Sequence, residues 1–354
     1  MPYIALPTPL PVAIPLPKLP VPKSARPSVT VVDVAKLAGV SPMTVSRALN
    51  ARDSVSDEAA RRVLEAASRL GYVRNRIAGG LRSNRSHLVA ALVPTLSGPV
   101  FLESIEALNR ELAVRGYRLI VGQTGYTDPR EDELVSDIIS RRPDAIVLTG
   151  TIHTPEGKRR LLGAGVPVVE IWDLSYDPID MLIGFSHEAV GATVCQYLHS
   201  RGRRRLALIG ADDQRSRRRW TAFSHAAIES GLTPPVSHFV SAPAKLGDGR
   251  RALRALLAES DRIDAIFCSS DMLANGVLIE ASTMGLAVPE RIAVVGFGDL
   301  NFAADLEPAL TSVRVDGQRI GALAADAIVK RLQGEDIPNR IIDVGFTIVQ
   351  RRSA

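Results

Sequence analysis

From Leu88 onward, seven short apolar runs recur at helix-length intervals: LVAALVP, YRLIVGQ, DAIVLTG, PVVEIWD, RLALIGA, DAIFCSS and IAVVGFG. Each is rich in β-branched residues and apolar at consecutive positions, so both faces are expected to be covered, as in interior parallel strands. Between them, stretches near 100–115, 130–141, 187–201, 215–230, 247–259, 271–284 and 316–333 have helical period. Alternation of this kind specifies βαβ units and a parallel α/β architecture. So many strands fit two sheets better than one. A chain of 354 residues that is 46% hydrophobic has enough apolar surface for the cores this requires.

Ahead of these runs lies a different pattern. Val31, Val34, Ala35 and Ala38 recur at three- and four-residue steps, followed by Gly39-Val40-Ser41-Pro42 and then Val45, Ala48 and Leu49. The spacing predicts two short helices joined by a tight turn. Gly39 suits the left-handed conformation that ends the first helix. Ser41 caps the second with its hydroxyl, and Pro42 takes the first helical position, where its missing donor costs nothing. With the second apolar set turned inward, Pro42, Met43, Thr44, Ser46, Arg47 and Asn50 form a mostly polar outer surface suited to base edges and phosphates. A third helix opens at Val55-Ser56-Asp57-Glu58, turns Val63, Leu64, Ala67 and Leu70 to one face and ends at Gly71.

Residues 30–85, carrying DVAKLAGVSPMTVSRALN and VSDEAARRVLEAASRLGYVRNRIAGGLRSNRS, resemble the headpiece and hinge of the lactose-repressor/galactose-repressor (LacI/GalR) family. The similarity continues over roughly residues 30–350. It implies an N-terminal all-α helix-turn-helix headpiece and a periplasmic-binding-protein-like core of two parallel-sheet subdomains hinged over a ligand cleft. The expected divisions are a disordered arm (1–28), headpiece (29–75), hinge (76–87) and core (88–354). The core subdomains are expected at about 88–185 plus 316–333, and 186–312 plus 338–354. The DNA-facing positions it implies are Thr30, Ser41, Pro42, Met43, Thr44, Ser46, Arg47, Asn50, Tyr72, Asn75, Arg76 and Leu81. Pro42 and Met43 occupy the family's principal base-reading places. Neither makes a bidentate hydrogen bond, which leaves Thr44 and Arg47 as the polar contacts. Leu81 matches the hinge leucine that wedges into the minor groove. Gly79 and Gly80 beside it each weaken a helix by roughly 1 kcal/mol, so the hinge is expected to need DNA and a dimer partner to form. Arg82 and Arg85 are expected on phosphates.

Charge is divided in the same sense. The formal net charge is +5; residues 28–87 alone carry +5, residues 1–27 carry +3, and the remaining 267 carry −3. Positive charge sits at the DNA-reading end. Residues 1–28 contain nine prolines, which preclude a helix and the unbroken apolar segment of a signal peptide. That stretch fits a partner-binding segment, a tail without a role or an upstream start codon. No apolar run approaches the roughly 18 residues of a membrane span. Cys195 and Cys268 stand in apolar settings and are expected as core thiols in a reducing cytoplasm, without disulfide or zinc.

Ligands of parallel sheets bind beyond the carboxyl ends of the strands. The loops there are Thr95–Phe101, Gly122–Thr127, Thr149–His153, Glu170–Asp173, Ala211–Arg219, Ser269–Asp271 and Gly296–Asp299. The resemblance places the family's effector-clamping arginine at Arg219, whose fork suits hydroxyls or a carboxylate. Arg215, Arg217 and Arg218 are expected in solvent. The family's Asn-Asp strand end appears as Ser270-Asp271, where Asp271 fits either an effector contact or a helix cap. Phe101 and Trp172 offer apolar faces, and Thr149, His153 and Asp173 complete the candidate wall. Many relatives that bind neutral sugars carry an acid directly after the aromatic of GFGD; here that place is Gly298. Losing a carboxylate beside a retained arginine favours an anionic ligand. Together with LTGTIHTPEG, GVPVVEIWD, MLIGFS and DVGFT, this resembles the gluconate-repressor branch.

The expected function is therefore a sequence-specific transcriptional regulator, of repressor type, whose affinity for a pseudo-palindromic operator is switched by a sugar acid. A homodimer is expected, since no heptad-bearing tail follows the last strand. The bacterial cytoplasm, with nucleoid association on operator binding, is the expected location. A neutral sugar, another metabolite or corepressor logic stays open. A non-specific architectural DNA protein is disfavoured by the large core. An enzyme is disfavoured by the lack of a G-x-S-x-G, Walker or metal-spaced motif, and no cofactor is expected.

Overall fold

The computed structural model describes residues 29–50, 54–73, 85–126, 131–150, 154–260 and 262–354. The chain divides into two compact units, Met1–Arg82 and Ser83–Ala354.

The first unit holds α1 (Val31–Ala38), α2 (Pro42–Asn50) and α3 (Asp57–Leu70). Val34, Val45 and Val63 meet at its centre among alanines. Thr30 caps α1 reciprocally with Asp33, whose carboxylate accepts from the Thr30 amide at 2.8 Å. Gly39 ends α1 at φ 65°. The Ser41 hydroxyl accepts from the Thr44 amide at 3.1 Å, leaving Pro42 as the first residue of α2. These local devices set the turn as the spacing predicts. Ser41→Ala is expected to cost about 1 kcal/mol, read as roughly fivefold faster hydrogen exchange of the α2 amides. Leu64 departs from expectation. It is 45% exposed, because Ala60, Val63, Ala66 and Ala67 form the buried face of α3, and small side chains let the helices approach.

The second unit contains two six-stranded sheets. The first comprises β1 (Leu88–Val93), β2 (Arg118–Gln123), β3 (Ala145–Thr149), β4 (Val168–Ile171), β5 (Met181–Gly184) and β11 (Ile341–Asp343). The second comprises β6 (Leu206–Ala211), β7 (Val236–Val240), β8 (Ala265–Cys268), β9 (Ala293–Phe297), β10 (Thr311–Arg314) and β12 (Thr347–Val349). Their orders, β11-β5-β4-β3-β1-β2 and β12-β10-β9-β8-β6-β7, are the same doubly wound order used twice. The helices are α4 (Leu102–Val114), α5 (Glu131–Ser140), α6 (Pro155–Gly163), α7 (His187–Ser200), α8 (Gln214–Glu229), α9 (Leu246–Glu259), α10 (Asp271–Thr283) and α11 (Gly317–Leu332). Helix α7 lies so close to α8 that a Cβ on Gly191 would stand 2.2 Å from the Arg219 carbonyl oxygen.

Six of the seven expected strands are buried along nearly their whole length. The exception is YRLIVGQ. As β2 it is an edge strand, with Ile120 and Val121 exposed, because only β1 pairs with it. Strands β5, β7 and β10 and helix α6 were not among the expected elements. The C-terminal segment, expected wholly in the second subdomain, is shared. Ile341–Asp343 pairs with β5 in the first sheet, and Thr347–Val349 runs antiparallel to β10 in the second. Three- and four-residue strands are too short for periodicity to assign them to a sheet. Cys195 and Cys268 are both buried and free.

Candidate functional site

The carboxyl-end loops of the two sheets converge on a cleft of about 710 Å³, its open mouth included. Thr95 and Phe101 come from the segment after β1, Trp172 from the loop after β4, Asp213 from that after β6, and Arg215 and Arg219 from the first turns of α8. Ser269 and Ser270 follow β8, Phe297 closes β9, and Tyr126 and His187 complete the wall.

Arg219 is 4% exposed. Its Nη1 donates to His187 Nδ1 at 3.0 Å, its Nη2 donates to the Ser269 carbonyl at 3.3 Å, and its guanidinium carbon lies 4.2 Å from the Phe297 ring centre. Among the described residues its buried Nε has no hydrogen-bond partner. Burial pushes the guanidinium down to about 10, so it stays charged near neutrality. His187 accepts from Arg219 through Nδ1 and meets the Trp172 carbonyl through Nε2 at 3.1 Å. Only the neutral ring protonated on Nε2 satisfies both contacts. Burial, then the Arg219 charge, holds its pKa well below the ordinary value.

Trp172 is fixed on three sides. Its Nε1 donates to Ser104 Oγ at 2.8 Å, its ring stands edge-on to Phe101 at 5.3 Å and to Phe185 at 5.9 Å, and its φ is 67°. A bulky residue holds that backbone conformation only where its surroundings over-determine it. Phe101, in turn, carries the Arg215 guanidinium 5.0 Å from its ring centre.

Of the other expected effector residues, Ser270 lines the cleft and caps α10, its hydroxyl accepting from the Leu273 amide at 3.3 Å. Asp271 is therefore not the cap. Its buried carboxylate accepts from Ser312 Oγ at 2.6 Å and the Leu300 amide at 2.7 Å, and burial pushes its pKa up to about 6. Gly298 has φ 124°, and the acid after it turns away: Asp299 accepts from Arg351 Nη1 at 2.6 Å. Thr149 and Asp173 lie in an adjoining recess with Tyr126, Asp213 and Arg215. His153 lies outside the described residues.

The expectation that Arg215, Arg217 and Arg218 are solvated holds for Arg217 alone. Arg217 is exposed and pairs with Asp212 at 2.7 Å. Arg218 bridges Asp173 and Glu188, and Arg215 lies against Phe101 with a buried, unpartnered Nη1. Their spacing on α8 puts Arg215 and Arg219 one turn apart on the cleft face. In the headpiece, Met43 is 64% exposed, and Ser41, Pro42, Ser46 and Arg47 are also exposed. Thr44 is half-buried, with its hydroxyl 2.9 Å from that of Ser41. Thr30 is held by its cap, and Tyr72 packs against the headpiece core. Asn75, Arg76, Leu81, Arg82 and the side chain of Asn50 lie outside the described residues. Arg85, expected on a phosphate, donates to the Leu332 carbonyl at the end of α11 at 2.6 Å.

Residues 30–75 match the description "Bacterial regulatory proteins, lacI family", and residues 195–354 match "Periplasmic binding protein-like domain". The chain is 36% identical over 326 residues to the HTH-type transcriptional regulator GntR of Pseudomonas aeruginosa, covering 92% of this chain and 95% of that one. The chain belongs to the LacI family. It is 31% identical to the regulator GntR of Escherichia coli K12, over 89% of this chain and 96% of that one. A crystal structure of a LacI-family transcriptional regulator from Silicibacter pomeroyi superposes with a TM-score of 0.87 at 34% identity, covering 92% and 99% of the two chains. This LacI-family chain is a DNA-binding transcriptional regulator of repressor type, with operator DNA and a small-molecule effector as its partners. Its relatives are regulators and not enzymes. Among the described residues, no helix is long and apolar enough to cross a membrane.

Of these cleft residues, Tyr126, Asp213, Arg215 and Phe297 fall within the expected wall loops without having been singled out for a role, and His187 alone lies outside them. The available signal for His187 was a histidine in the first turn of a helix directly after the apolar MLIGF run. Because the folded protein keeps His187 neutral while the unfolded chain protonates it, its contribution to stability is present above about pH 6.5 and lost as pH falls below it, at about 1.4 kcal/mol per pH unit. In His187→Gln the fall in denaturation free energy between pH 6.5 and 5 is expected to be shallower by that slope.

Proposed function

We propose that this regulator binds a pseudo-palindromic operator as a homodimer and that a sugar acid such as gluconate, held in the cleft, switches its operator affinity. The observation that carries the effector class is the state of Arg219. It is a buried cation with an unpartnered Nε, and among the described residues its hydrogen-bond partners include no carboxylate. The acid at 299 is held by Arg351, position 298 is glycine, and Asp271 is occupied by Ser312 and Leu300. A carboxylate ligand would satisfy the orphan donor and give the guanidinium a directly hydrogen-bonded counter-charge, which a neutral hydroxyl does not.

In this reading Arg219 clamps the carboxylate, and Phe101 and Trp172 cover the carbon chain. Thr149, Asp173, Ser270 and Asp271 hold or position the hydroxyl groups, with Gly298 leaving room. The headpiece (29–75) reads DNA through Arg47 and Thr44, with Met43 and Pro42 against the bases. Thr30, Ser41, Ser46, Asn50, Tyr72, Asn75 and Arg76 contact the backbone, and Leu81 of the hinge (76–87) acts through DNA deformation. Contacts that cross the cleft, Arg218 to Asp173 and Arg215 to Phe101, are where a ligand would bias the relative position of the two sheets. Only a difference in affinity between two such arrangements makes a switch.

Calorimetric titration with gluconate, ketogluconates and neutral hexoses tests the effector class. Tight binding of the acids alone supports it, and tight binding of only a neutral sugar or a purine overturns it. Gel shifts on a palindromic site and on random DNA, with and without the bound acid, test the switch and its direction.

A further inference from the structure

The carboxyl ends of both sheets face the cleft, so their amino ends point away from it in opposite directions. At the amino end of the first sheet the chain arrives from the stretch expected as the hinge. There the His87 carbonyl accepts from the Arg118 amide at 2.9 Å, and the Leu88 carbonyl accepts from the Asp144 amide at 2.7 Å. These bonds set the starts of β2, β1 and β3 side by side, at the roughly 4.8 Å spacing of neighbouring strands. Arg118, Arg85 and the pair Arg141-Arg142 thereby come to one edge, all of them exposed, and Arg85 and Arg142 line one groove.

The acids beside this row do not neutralise it. Asp144 is 8% exposed, and its carboxylate is taken by the Ser86 amide and hydroxyl at 2.6 and 2.8 Å and by the His87 amide at 2.9 Å. Arg331, on the same groove, is balanced by Asp180 at 2.5 Å. Among the described residues Arg118, Arg141 and Arg142 form no ion pair, and Arg85 meets a carbonyl, that of Leu332. Exposed arginines are ordinarily just solvated. Position distinguishes this row: it borders the point where the core joins the segment leading to the DNA-binding headpiece, whose partner is a polyanion.

We infer that the amino-end face of the first sheet is a further DNA-contacting surface, with Arg118, Arg141 and Arg142 on backbone phosphates. The row stands on strand starts, not on a helix or two-stranded ribbon that enters a groove, so its contacts are independent of sequence. The core then adds affinity, and the headpiece and hinge keep the specificity.

The test measures binding of the full-length protein to the palindromic site and to random duplex DNA over a range of salt. Each lost phosphate contact makes the slope of log affinity against log salt shallower by about 0.9. The triple variant Arg118→Gln, Arg141→Gln, Arg142→Gln is expected to bind both duplexes roughly 10- to 100-fold more weakly, with a slope shallower by about 2–5 for the dimer. Its melting temperature should stay within about 2 °C of the parent, since the side chains are exposed. Lysine at the same three positions should keep most of the slope, because it still meets a phosphate as a point charge. Arg201→Gln, Arg204→Gln, Arg205→Gln removes the same charge at the amino end of the second sheet, where these three are also exposed, and should leave the slope unchanged. An unchanged slope in the first variant overturns the inference, the arginines then being solvated. Equal changes in both glutamine variants overturn it in favour of general electrostatic attraction. Weaker binding of the palindromic site alone, at unchanged slope, overturns it in favour of a contact with protein.

Discussion

Arg219→Met leaves operator binding intact and abolishes the response to the effector. The methionine retains much of the apolar volume of the arginine stem between Phe297 and the α8 backbone and removes the guanidinium. A charged hydrogen-bonded contact in a desolvated site is worth about 2–5 kcal/mol to the complex, or roughly 30- to 4,000-fold in affinity. Stability of the free protein is expected to hold or rise. Among the described residues the buried guanidinium has an unpartnered Nε and no carboxylate among its hydrogen-bond partners, and replacing a buried charge that no direct ion pair compensates by an apolar group of similar size relieves its desolvation. Calorimetry with the effector, a gel shift and a melting curve together read all three effects. Loss of DNA binding in step with loss of effector binding would mean that Arg219 supports the fold and not the ligand.

The second large effect is expected at Gly191. A methyl group there would lie 2.2 Å from the Arg219 carbonyl oxygen and 3.0 Å from the Phe223 amide nitrogen, both backbone atoms of α8 that no rotamer change moves aside. Gly191→Ala must force α7 and α8 apart, at a cost of about 3 kcal/mol, or a melting temperature lowered by about 6–12 °C. Because the displaced segment carries Arg219, effector affinity should fall as well, although residue 191 is not among the cleft-lining residues. Gly247→Ala is the control. Its added carbon would meet only the tip of the Arg251 side chain at 3.4 Å, and stability should stay within about 0.5 kcal/mol of the parent.

The two cases divide what was legible in the sequence from what was not. The headpiece was readable because its determinants are local. Gly39, Ser41 and Ser56 act within four residues of where they stand, and the Val34, Val45 and Val63 core follows helical spacing. The interior strands were readable because burial on both faces leaves consecutive apolar residues. Strand β2 carries the same composition at an edge, and composition does not encode how many neighbours a strand has. The cleft was legible as a set of loops, since parallel strands all deliver their carboxyl ends to one side, but not as a set of roles. Asp271 looked like a cap or a ligand contact until Ser312, 41 residues away, took its carboxylate. Arg215 looked like one more surface cation in a run of four. What distinguishes it is Phe101, brought beneath it from the other sheet. Close helix approach at Gly191 leaves no periodic trace, because glycine is read first as a turn signal.

The burial of Cys195 and Cys268 has a practical consequence. Desolvation raises both thiols well above the usual cysteine range, Cys195 to about 11, so thiolate is scarce at neutral pH and neither sulfur is accessible. Maleimide reagents should therefore pass over the native chain, and cysteines introduced at exposed positions such as Tyr176 and Ile228 would accept a dye pair without the natural ones being replaced. The separation between the two halves of the core, with and without effector, then becomes an optical measurement on an otherwise unaltered protein.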